Sequence, residues 1–117
     1  MSYLFLEYPK CSTCRNARKW LDQHRVLYED RDIVVNKPTF KELKEWIIRS
    51  GLPVRSFFNT SGQLYRALQL KDKLPLLSEE EQLKLLASDG KLVKRPLLIG
   101  KDRVWVGFHV EDWENIG

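Results

Sequence analysis

The chain is poor in the residues that usually staple or metallate a small protein: two cysteines, two histidines and one methionine in 117 residues. That scarcity excludes a disulfide-dense scaffold, and His24 and His109 follow no zinc-finger spacing. No apolar run approaches the roughly 20 residues of a membrane span, and no basic start with an apolar stretch precedes Tyr3. We therefore expect a cytoplasmic protein with no membrane association. Charge of one sign is also missing: 20 Lys and Arg stand against 16 Asp and Glu, a formal net charge of +4, and the two signs are interleaved. Direct nucleic-acid binding asks for a one-sided basic stripe with stacking aromatics, which the sequence does not offer. Repeats, low-complexity tracts and linkers are lacking too. With 43% hydrophobic residues, the expectation is one domain over residues 1–117, large enough to form a core unaided.

What is present centres on Pro9-Lys10-Cys11-Ser12-Thr13-Cys14-Arg15, which holds both cysteines. Two cysteines placed at random in a chain this long fall three apart about once in 60 placements. Residues i and i+3 share a helix face about 5 to 6 Å apart, near the Cα separation of a disulfide, so such a dithiol can open and close without refolding the backbone. A thiolate at a helix N-terminus also gains from the unpaired N–H groups and the positive end of the macrodipole, and Lys10 and Arg15 add charge. Cys11 is then expected to be the attacking thiolate and Cys14 the resolving thiol. Half a zinc site and an inert thiol pair are the competing readings. In the cytosol a disulfide is transient, which favours a catalytic or sensing role without bound metal or cofactor. Lys10, Arg15, Arg18, Lys94 and Arg95 are candidates to converge on an anionic substrate or partner.

Along the chain, Tyr3 to Tyr8 reads as a strand covered on both faces. Ala17, Trp20, Leu21 and His24 then form the apolar stripe of a helix reaching about Arg25, with His24 partly buried at its end. Val26 to Asp32 is a second strand, completing a βαβ unit whose first turn carries the cysteines. Thr39 with Glu42, and Ser78 with Glu81, are capping boxes; Phe40, Leu43, Trp46 and Ile47 face a core, as do Leu83, Leu86 and Ala87. Gly51 closes the first of these helices, and Asp89-Gly90 the second. Two short helices are expected at Val54 to Phe58 and Gln63 to Leu70, around Asn59-Thr60-Ser61-Gly62. Leu97 to Ile99 and Val104 to Phe108 read as a hairpin turning at Gly100-Lys101-Asp102, and Val110, Trp113 and Ile116 as a closing helix.

A CxxC opening the first helix of a βαβ half, followed by a ββα half, resembles the thioredoxin-like plan. Lys94-Arg95-Pro96-Leu97-Leu98-Ile99, with a helical insert ahead of it, sharpens this to a resemblance to the ArsC/Spx family, supported by Cys11 to Leu21, Phe57-Phe58-Asn59-Thr60 and Val106-Gly107-Phe108. The resemblance implies an α/β, thioredoxin-like fold with a mixed four-stranded sheet, a core of residues 1–36 and 93–117, and a helical insert at 37–92. It implies a cis bond before Pro96 and an Arg95 aimed at the active thiol, where related arsenate reductases hold their oxyanion. Cys11, Cys14 and Arg95 would then be catalytic, with Pro96, Lys10, Ser12, Thr13 and Arg15 in support. The chain departs from the family by having Asn59, Thr60, Ser61 and Gly62 in one region, and Gly107 and Phe108 in another, where the reductases place further arginines. The expected activity is thiol-disulfide oxidoreduction of a small oxyanion or disulfide substrate. Recharging would come from a redox partner protein, by thioredoxin or by glutathione and glutaredoxin. The alternative is an Spx-like redox switch that binds the C-terminal domain of the RNA polymerase α subunit.

Overall fold

A computed structural model describes residues 2–116. Four strands, β1 (Tyr3–Glu7), β2 (Tyr28–Asp32), β3 (Leu97–Ile99) and β4 (Val104–Val106), form one sheet in the order β2-β1-β3-β4. β1 runs parallel to β2 and antiparallel to β3, and β3 pairs antiparallel with β4. The helices are α1 (Ser12–Gln23), α2 (Phe40–Ser50), α3 (Gln63–Ala67), α4 (Leu70–Lys73), α5 (Glu79–Ser88) and α6 (Val110–Trp113). This is the expected mixed α/β sheet of a thioredoxin-like fold, with α2 to α5 inserted between its halves.

Because side chains alternate along a strand, β1 feeds two cores. Phe5 points into a cluster with Ala17, Leu21, Leu98, Trp105 and Trp113, beneath α1 and α6. Leu6 points the other way, among Leu43, Trp46, Phe57, Leu86 and Leu97. Burying each such Leu or Phe contributes roughly 1.5 to 3 kcal/mol, so the helices on both faces hold the central strand in place. β2 lies at the edge and is charged along its length, Glu29-Asp30-Arg31-Asp32, which discourages pairing with another chain.

Both capping boxes form, at Thr39 with Glu42 and at Ser78 with Glu81, and Gly51 ends α2 in the left-handed region at φ 73°. Arg31 reaches Glu42 with two hydrogen bonds of 2.8 and 2.9 Å. Gly90 follows α5 where a Cβ would stand 1.9 Å from the Ile33 carbonyl oxygen, so only glycine lets these backbones meet.

Five expectations change. His24 is exposed, because α1 ends at Gln23 and the imidazole stacks outward on Trp20 with ring centroids 3.8 Å apart. The helix expected over Val54 to Phe58 is a single 3-10 turn, Val54–Phe57. The helix expected over Gln63 to Leu70 breaks at Gln69, whose φ of 55° turns the chain so that Leu70 is buried while Leu68 stays outside. Phe108 leaves the face of Val104 and Val106, because Gly107 at φ 79° interrupts the alternation; its ring packs on Trp113 at 4.8 Å. The closing helix keeps only Val110–Trp113, with Val110 exposed and Trp113 buried.

Glu7, at the end of β1, is the one buried charged residue among the described residues. Arg18 Nη2 lies 3.0 Å from its Oε2 without alignment for a hydrogen bond, so that oxygen has an ionic neighbour and no hydrogen-bond partner. Burial first, then hydrogen bonding and repulsion from Asp30, push the Glu7 carboxyl from 4.5 to about 8, against the pull of Arg18. At neutral pH it is therefore mostly protonated and donates toward Asp30, which pairs with Arg18. The folded state holds this proton more tightly than the unfolded chain, so the contribution to stability falls as pH rises from about 4.5 to about 8 and is level above. Glu42 acts oppositely: the Arg31 hydrogen bonds hold its carboxyl near 2, and the stability they give is lost as pH falls below 4.5. Thermal or urea unfolding of Glu7→Gln should show a flatter pH dependence between pH 5 and 8. At pH 8 it should exceed the wild type by on the order of a few kcal/mol; an unchanged slope would refute the assignment.

Candidate active site

The end of β1 delivers the chain into Tyr8-Pro9-Lys10, and Cys11 N–H closes the turn on the Tyr8 carbonyl at 2.9 Å. Cys11 is the N-cap of α1, extended at φ −91° and ψ 123°, and its carbonyl accepts the first helical hydrogen bond from Arg15 at 3.1 Å. Cys14 follows in the first turn. Both are free thiols, Cys11 half-buried and Cys14 wholly buried.

Their environments separate them. Burial alone would raise the Cys11 thiol, but the Cys14 amide and thiol, the Thr13 amide and the Arg95 guanidinium favour its anion and together bring it below the ordinary value. The sulfur closes no capping hydrogen bond, so the effect is that of several donors converging on an open position. For Cys14, burial dominates and lifts the thiol to about 12; the Tyr8 N–H, 3.5 Å from its sulfur, opposes this, while the neighbouring Cys11 charge and its hydrogen bond reinforce it. One thiol is poised to ionise and the other holds its proton.

Arg95 reaches this pair from across the sheet. The Arg95–Pro96 peptide is cis, as the resemblance implied, and leads directly into β3 beside β1. The guanidinium lies over the Tyr8 ring, 4.8 Å from its centroid, and donates to the Lys91 carbonyl at 3.3 Å. Neither bond occupies it with a carboxylate, so its fork of donors remains available to an anion.

The remaining predicted residues divide. Arg15 donates to the Pro9 carbonyl at 3.3 Å and so braces the turn; Lys10, Ser12 and Thr13 are exposed around it, and Pro96 is buried. Two of the cations expected to converge there have other neighbours. Arg18 is drawn one helical turn away to Glu7 and Asp30, and the Lys94 chain runs beside Gly107. The regions lacking arginine have structural tasks. Asn59 N–H donates to the Leu92 carbonyl at 2.7 Å, and a side chain at Gly107 would meet a strained φ as well as Lys94 and His109 within 3.2 to 3.3 Å. Sequence reasoning missed Tyr8, which touches both Arg95 and Cys14, and Glu7. The available signal for Glu7 was a carboxylate inside an otherwise apolar strand.

This arrangement coincides with a family pattern: the model of the ArsC family matches residues 6–116. The chain belongs to the ArsC family. Among its relatives in that family, the uncharacterized protein YusI of Bacillus subtilis is 50% identical over 97% of each chain. A possible arsenate reductase from Streptococcus mutans has a solved structure that matches with a TM-score of 0.87 at 49% identity, covering 96% of this chain and 97% of that one. The global transcriptional regulator Spx of Enterococcus faecalis is 30% identical over 89% of this chain and 77% of its own.

Alkylation of the reduced protein, followed by peptide mass analysis, should label Cys11 orders of magnitude faster than Cys14 at pH 7, because only the first has an accessible thiolate fraction. Cys11 labelling should rise with pH along a curve shifted below that of an ordinary thiol, and Arg95→Ala should move that rise to higher pH. Faster labelling of Cys14 would reverse the roles.

Proposed function

We propose that this ArsC-family protein is a cytoplasmic thiol-disulfide oxidoreductase that reduces a small oxyanion or disulfide with the Cys11–Cys14 pair. The observation that carries the reading is the division between a half-exposed Cys11 with a lowered pKa and a buried Cys14 lifted to about 12, with Arg95 beside the first.

With a disulfide substrate, the Cys11 thiolate attacks one sulfur, a mixed disulfide forms and the other sulfur leaves as a thiolate. Cys14 then loses its proton and attacks Cys11 Sγ, releasing the second thiolate and closing the internal disulfide. The two electrons come from the two thiols. With arsenate, Cys11 displaces an oxygen, which leaves as water, to give a sulfur–arsenic bond. Attack by Cys14 on Cys11 Sγ breaks that bond, and its electron pair passes to arsenic, giving arsenite. Arg95 would stabilise the oxyanion or the departing thiolate, and Lys10 and Arg15 would add positive potential. An external dithiol, from thioredoxin or from glutathione with glutaredoxin, would restore the pair. No bound cofactor is needed.

A second reading, a redox-switched regulator that binds the C-terminal domain of the RNA polymerase α subunit, is favoured by the identity to Spx and by the absence of the further arginines at Asn59 to Gly62 and at Gly107.

The deciding experiment is intact mass with thiol blocking after the reduced protein meets arsenate, a small disulfide, peroxide or buffer. Arsenate- or disulfide-dependent loss of two protons, with Cys14→Ser trapping the mixed intermediate, is the expected result. Arg95→Lys should lower the arsenate rate about tenfold or more while leaving the melting temperature unchanged, since a point charge does not replace the planar fork. Oxidation by peroxide alone, with polymerase retained by one redox form only, would favour the regulator instead.

A further inference from the structure

Arg55, from the 3-10 turn after α2, Arg66 of α3 and Lys71 of α4 line two adjoining grooves of about 420 and 250 Å³ that share Thr60, Tyr65 and Lys71. Arg18, Arg31 and Arg49 are each paired with carboxylates, whereas Arg55, Arg66 and Lys71 have no ion pair or side-chain hydrogen bond among the described residues. A single carboxylate, Asp72, lines the larger groove. The left-handed turn at Gln69 separates Arg66 from Lys71 and allows both to border the same groove.

The cationic surface continues into an apolar one. Leu70 is shared with a third groove, of about 290 Å³, whose other walls are Leu68, Lys73, Leu76, Leu77 and Leu85. Leu76 is 84% exposed and Leu68 37%, so two leucines project beside the unpaired cations. None of Tyr8, Cys11, Cys14 or Arg95 lines these grooves.

We propose that the α3–α4 face docks an acidic, amphipathic protein segment, its carboxylates on Arg55, Arg66 and Lys71 and its apolar side chains on Leu68 and Leu76. The charge is complementary to carboxylates, which gives register and encounter rate, while covering exposed leucine gives affinity. A nucleic acid would satisfy the cations but leave the leucines uncovered. It would also find no stacking platform, since Tyr65 is half-buried, tilted against Phe58 at 6.4 Å.

The test is fluorescence anisotropy of a labelled helix-forming peptide with Glu on one face and Leu on the other. Its companions are a scrambled peptide of the same composition, polyglutamate and a short DNA duplex, all against the reduced full chain at low salt. The amphipathic peptide should bind most tightly. Its affinity should drop about tenfold or more in Arg66→Glu with Lys71→Glu, and about as much in Leu76→Ser. All three positions are exposed, and unchanged melting temperatures will confirm that the variants fold. Absence of peptide binding, equal binding by the variants, or equal binding of the scrambled peptide or polyglutamate would overturn the proposal. Tighter binding of the duplex that responds to the charge reversals and ignores Leu76→Ser would assign the face to nucleic acid.

Discussion

The position of β1 between a parallel and an antiparallel neighbour is the constraint on which the rest depends. Its carboxyl end must turn into α1 on one side, and the antiparallel β3 must begin beside that same end. Residues 11–14 and residue 95, more than 80 positions apart in sequence, therefore reach one end of the sheet's inner strands. The two hydrophobic clusters, one under α1 and α6 and one against the insert, keep β1 from shifting. A one-residue slip would exchange Phe5 and Leu6 between them and turn Glu7 to the wrong face.

Burial divides the chemistry of that end. The same desolvation that lifts Cys14 acts on Cys11, but there the helix amides and Arg95 outweigh it. Tyr8 serves both halves, its ring under the Arg95 guanidinium and its amide on the Cys14 sulfur. One residue further back, Glu7 is buried without enough hydrogen bonds, and the fold tolerates it by keeping it protonated beside Asp30 and Arg18. Arg18 is consequently paired with Asp30 beside Glu7.

The insert does more than enlarge the molecule. Its 3-10 turn is joined to the segment before Arg95 by hydrogen bonds of 2.7 Å, Lys94 to Phe57 and Asn59 to Leu92, and by a bridge between Phe58 and Val93. Asn59 takes part in this junction through its main chain, and Gly107 has a conformational task at its positive φ.

Much of this was legible in the chain alone. The spacing of Cys11 and Cys14, the capping boxes at Thr39 and Ser78 and the apolar alternation of the strands are local patterns, and local backbone chemistry suffices to read them. The resemblance at Lys94 to Ile99 supplied the cis proline and the place of Arg95. His24, Phe108 and the end of the Gln63 to Leu70 helix were misplaced because periodicity assumes that an element continues, and one left-handed residue, Arg25, Gly107 or Gln69, breaks it. Sequence by itself determined which residues can ionise, cap or line a helix face, since these follow from side-chain chemistry and short-range spacing. Only the tertiary structure decided how deeply Cys14 is buried, which arginine is free of carboxylates and why Glu7 is neutral, because those depend on burial and on partners brought together by packing across the sheet.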